Sequence, residues 1–85
     1  MSATKWVRVP NYQFLITALD NCSQIEGAVM LNYGARSSKT FFKNVIDGEI
    51  VYEMNNQIDD TDEVLTEERV AEYINAGALW LELEV

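Results

Sequence analysis

Eighty-five residues, 48% of them hydrophobic and 11% aromatic, are enough for one small core and too few for two, so the sequence predicts a single folded domain over 1–85. Fourteen Asp and Glu against six Lys and Arg give a net charge of −8, and there is no histidine. A surplus of acid repels phosphates and anionic lipids, which argues against direct nucleic-acid binding and against membrane binding and favours basic partners.

The longest apolar runs, "GAVML" and "AGALWL", fall far short of the roughly 20 residues of a membrane helix, and the first residues lack a basic-then-apolar signal pattern. Cys22 is alone and cannot form an internal disulfide, as a small secreted domain usually would. A cytoplasmic protein is expected. Charge is divided unevenly: residues 1–46 balance to +3, whereas residues 47–85 set twelve acids against Arg69 and balance to −11.

In chain order, "KWVRVP" alternates Val7 and Val9 with Trp6 and Arg8, the period of a strand, which Pro10 ends because it lacks an N–H. Asn11 is a candidate cap for a helix near 11–21, in which Leu15, Ala18, Leu19 and Cys22 recur on one face. That spacing makes Cys22 a buried structural residue. "SQIE" at 23–26 has the form of a capping box, and Gly34 suits a helix end, so a second helix to Tyr33 is expected, with a strand through "AVMLNY" as the rival.

"KTFFKNVIDGEIVYEMNN" predicts a hairpin about Asp47-Gly48, pairing Val45 with Ile50, Lys43 with Tyr52 and Phe41 with Met54 on one strongly apolar face. Further on, Thr66 is a candidate cap for a helix that buries Val70, Tyr73 and Ile74 and ends at Gly77, with Leu65 and Val70 as its staple. "ALWLELEV" alternates as a final strand, which beside the first would bring Arg8 to Glu82 or Glu84 and Trp6 to Trp80. The expected fold is α+β: a small, mainly antiparallel sheet of about four strands with helices packed on one face.

Catalytic parts are scarce. Without histidine the usual general base near neutral pH is missing, and a cleft for a two-carboxylate mechanism is hard to build on so small a core. Asp60-Thr61-Asp62 resembles the start of a calcium loop, but Leu65 stands where the loop needs glycine and Ala71 where it needs glutamate. One cysteine and no histidine make zinc poorer still. No cofactor, metal or enzymatic activity is expected.

The stretch "IDDTDEVLTEER" at 58–69 remains, six carboxylates against one arginine. Asp59, Asp60, Asp62, Glu63, Glu67, Glu68 and Glu72 are the candidate partner-binding residues. They would attract a basic site on another protein, such as a nucleic-acid-binding enzyme, and displace its anionic ligand, as phage-encoded inhibitors do. The bland alternative is a solvated helix entrance. A different class of function is a structural, homodimeric module paired through an exposed strand edge.

Overall fold

In a computed structural model, which describes residues 3–30 and 36–84, eight elements follow one another. They are β1 (Thr4–Arg8), α1 (Tyr12–Asn21), β2 (Gln24–Met30), β3 (Arg36–Ile46), β4 (Glu49–Asn56), β5 (Thr61–Val64), α2 (Glu67–Asn75) and β6 (Leu79–Glu84). The strands form one antiparallel sheet in the order β1-β6-β2-β3-β4-β5. Both helices pack on one face, so the protein is the expected small α+β domain.

The hairpin forms in the expected register, with Phe41 opposite Met54, Lys43 opposite Tyr52 and Val45 opposite Ile50. Asp47 and Gly48 take φ of 52° and 80°, the two left-handed positions that a tight two-residue turn requires. Asn11 and Thr66 cap the helices, their side chains accepting from the N–H of Phe14 and of Arg69. Between the helices and the sheet lie Leu15 and Leu19 of α1, Val70 of α2, and Ile25, Val29, Phe41, Met54, Leu79 and Leu81 of the strands.

Residues 24–30 correct the expected second helix. They form β2, which pairs with both β3 and β6. Ile25, Ala28 and Val29 are buried there, and tertiary pairing overrides the local capping signal. The remainder of the expected helix, to Tyr33 and the Gly34 cap, lies outside the described residues.

Gly27 has a packing reason: a Cβ there would lie 2.5 Å from the Phe41 ring and 2.6 Å from the Trp80 carbonyl oxygen. With β2 and β5 included, the sheet has six strands where about four were expected.

Three local expectations also change. Helix α1 ends at Asn21, and Cys22 turns out in extended conformation with its thiol exposed, donating to the Gln24 carbonyl oxygen at 3.4 Å. The Val45 and Ile50 pair, although on the apolar side of the hairpin, is 62% and 53% exposed, because β3 and β4 run on beyond the paired parts of β2 and β5. The first and last strands do pair, but Arg8 lies opposite Trp80 and Trp6 opposite Glu82, one pair away from the expected match.

Candidate functional site

The acidic stretch is a turn, an edge strand and a helix start, not a helix entrance throughout. Residues 57–60 connect β4 to β5, and Asp60 turns the chain with φ 56° while its N–H bonds the Asn56 carbonyl oxygen. Aspartate tolerates that left-handed conformation better than most residues. Asp59 accepts from the Thr61 hydroxyl at 2.8 Å and from its N–H at 3.2 Å. Those bonds hold its carboxyl below the usual carboxylate range, with the charge of Lys39 a smaller contribution.

Asn55, on β4 opposite Asp62, donates from its amide nitrogen to Asp60 at 3.1 Å and to Asp62 at 2.9 Å. One neutral donor thus holds two carboxylates side by side without cancelling their charge.

Alternation along β5 sends Asp62 and Glu63 to opposite sides of the sheet. Glu63 pairs with Arg69 at 3.4 Å, and Arg69 also pairs with Glu72 at 3.1 Å while stacking on the Tyr73 ring. Glu67 and Glu68 occupy the exposed first turn of α2, where the helix dipole favours carboxylates. Burial, and then the nearby charge of Glu67, push the Tyr12 phenol above the ordinary tyrosine range.

The seven candidates therefore do not meet at one point. Asp59, Asp60 and Asp62 cluster about Asn55 and Thr61, Glu63 and Glu72 converge on Arg69, and Glu67 and Glu68 stand at the helix start. Together they wrap the β5 edge. Among the described residues the ion pairs are Lys43 with Asp20 and Arg69 with Glu63 and Glu72, and none involves Asp59, Asp60, Asp62, Glu67 or Glu68. Ile58, 82% exposed, and Val64, 56% exposed, stand among these acids.

Among the described residues no group of three or more His, Cys, Asp or Glu side chains is arranged to hold an ion, and one oxygen each of Asp60 and Asp62 accepts from the Asn55 amide.

Two further features were not legible in the sequence. A cleft of about 500 Å³ opens where β2 and β6 separate beyond the pair of Gly27 and Leu81, lined by Cys22, Glu26, Glu82 and Glu84. On the open face, the Arg36 guanidinium lies 4.1 Å from the Trp6 ring centre, beside a hollow of about 220 Å³ lined also by Ala28, Met30 and Trp80. The alternation in "KWVRV" and "ALWLELEV" put both tryptophans on one face, but the pairing of β2 with β6 was needed to bring Arg36 to them.

No helix among the described residues is long and apolar enough to cross a membrane. Comparison with protein-family models, curated proteins and solved structures finds no match.

Proposed function

We propose that this protein is a non-enzymatic binding module whose acidic β5 and α2 side docks on a basic surface of another protein, with a nucleic-acid-binding site the favoured target and inhibition the consequence. The observation that carries this reading is the Asn55 bridge, which fixes Asp60 and Asp62 as adjacent anions through a neutral donor. Like charges held side by side cost stability, and a surface needing only solubility has no use for their fixed spacing. The exposed Ile58 and Val64 supply apolar contact within the same surface, which a protein partner uses and bulk solvent does not.

The proposed mechanism is occupancy. Carboxylates at fixed spacing attract the cations that hold phosphates, speed encounter and exclude the nucleic acid from its site. The test is capture from a nuclease-treated lysate by the native protein and by a variant with Asp60→Asn, Asp62→Asn, Glu67→Gln and Glu68→Gln, which spares the Arg69 pairs. The expected result is a basic, nucleic-acid-binding partner retained by the native protein and lost by the folded variant. Equal capture by both overturns the reading.

A further inference from the structure

Beyond the pair of Gly27 and Leu81 the sheet is split. Strand β2 pairs with β6 only through Gly27 with Leu81, Ala28 with Trp80 and Val29 with Leu79, yet β6 stays paired with β1 as far as Glu84, and β2 stays paired with β3 back to Gln24. Both lips of the split therefore have a strand behind them and no paired strand in front. The Met30 N–H donates to the Ala78 carbonyl oxygen, and the Val9 N–H to that of Leu79. Backbone groups alternate in direction along a strand, so those of Gln24 and Glu26 are turned toward β6, and those of Glu82 and Glu84 toward β2. The Gln24 carbonyl oxygen, without a β6 partner, takes the Cys22 thiol at 3.4 Å, a weak donor.

The register supplies the cause of the split. One pair further on, it would set Glu26 directly opposite Glu82 on the open face, and like charges so placed destabilise a ladder. Neutral donors instead fasten the two carboxylates on opposite lips. Thr40 of β3 and Gln57 donate to Glu26 at 3.2 and 2.8 Å, and Thr4 of β1 donates to Glu82 at 2.8 Å. Ile25 and Leu83 point to the helix face, and with Ala18 of α1 they give the cleft of about 500 Å³ an apolar floor.

We infer that this cleft is a strand-addition site, which receives an extended segment of another protein in which two basic residues flank a small apolar one. Lying antiparallel to one lip, such a segment is parallel to the other, and both ladders use the backbone groups left facing the cleft. Its period of two then dictates its side chains. The residue level with Ile25 and Leu83 points down onto the apolar floor. Its two neighbours point up, one between Glu26 and Glu82 and one beside Glu84, where cations are required and where they remove the repulsion that parts the strands.

This chain does not carry that pattern itself. Lys5, Arg8, Arg36, Lys39, Lys43 and Arg69 are nowhere two positions apart, so the segment belongs to a different protein and not to a second copy. Strands β3 and β4 separate the cleft from the β5 edge, and the site is independent of the proposed acidic docking.

The test is amide NMR of the isotope-labelled protein titrated with the capped peptide Ser-Lys-Val-Lys-Ser. The largest shift changes should fall at 24–26 and 82–84, and hydrogen exchange of the Gln24 and Glu84 N–H groups should slow as the new ladders form. The peptides Ser-Glu-Val-Glu-Ser and Ser-Lys-Asn-Lys-Ser, which lose the cations and the apolar residue in turn, should each bind about tenfold more weakly or worse. Glu26→Gln combined with Glu82→Gln should weaken binding about tenfold, whereas Asp47→Asn combined with Glu49→Gln, which removes the same charge from the hairpin end, should change it less than about twofold. The spectrum of each variant reports its folding. Shifts spread over the acidic surface without protection at Gln24 and Glu84, equal binding of the three peptides, equal loss in the two double variants, or no binding at millimolar peptide would each overturn the site.

Discussion

On the helix-covered face of the sheet, Phe41, Met54, Leu79 and Leu81 are shielded from water almost completely, whereas on the open face Trp6, Met30 and Ile46 keep a third to a half of their surface exposed. Alternation assigns each residue to a face, but helix cover decides how deeply that face is buried. The hairpin shows this within one strand: Phe41 and Val45 point to the same side, yet Phe41 lies over Gly27 in the core and Val45, four residues on, is 62% exposed. The open face takes polar side chains in place of a helix layer. Gln57 donates to Glu26 and to Thr40, and Thr4 donates to Glu82.

The sharpest way to break this contrast is to truncate two residues on the same side of the same strand, one covered and one not. Phe41→Ala should cost about 3–5 kcal/mol, a large share of the roughly 5–15 kcal/mol that holds a domain together. Val45→Ala should stay within about 0.5 kcal/mol, as at other exposed sites, and urea midpoints for the two variants measure the difference.

Next in size is Gly27→Ala. Its new methyl meets the Phe41 ring and the Trp80 carbonyl oxygen, and overpacking of this kind costs about 1–3 kcal/mol, read from the same denaturation curves. Thr66→Ala and Asn11→Ala should each cost about 1 kcal/mol by releasing a capped N–H, with thermal melts as the check.

The smallest effect concerns pH. Asp20 accepts from the Tyr52 hydroxyl at 2.7 Å and from Lys43 at 3.3 Å, and these partners hold its carboxyl below the usual carboxylate range, the Tyr52 bond contributing most. Its folded value is the lower one, so the stability it contributes is present above the unfolded carboxylate range and lost as pH falls through the lowered value. Tyr52 is shifted upward, chiefly by the same hydrogen bond, so its contribution is present below the ordinary tyrosine range and lost as pH rises through the raised value. Asp20 is exposed and Tyr52 partly so, and melting temperature against pH should show small changes in both limbs that Tyr52→Phe reduces.

What could be read beforehand followed from local chemistry. The Asp47-Gly48 turn set the hairpin register, and Asn11 and Thr66 marked the helix starts. What could not be read depended on partners distant in sequence. Segment 24–30 becomes a strand because β3 and β6 flank it, and the acid-rich 61–64 becomes one because β4 offers it an edge. Charged side chains on such an edge also discourage further strand pairing, a role that composition by itself does not reveal. The seven acidic candidates were visible as a run, but their division among Asn55, Arg69 and the helix start required the alternation of β5.

Whether the acids around the β5 edge act as the proposed preorganised anionic surface is read most directly from the affinity for the captured basic partner as ionic strength rises. The native protein should lose affinity steadily with salt, and the variant carrying Asp60→Asn, Asp62→Asn, Glu67→Gln and Glu68→Gln should bind more weakly with a shallower slope, because exposed charges are screened within about 10 Å at 0.1 M salt. An affinity unchanged by salt and equal for both proteins would contradict the claim and place the binding energy in an apolar contact instead.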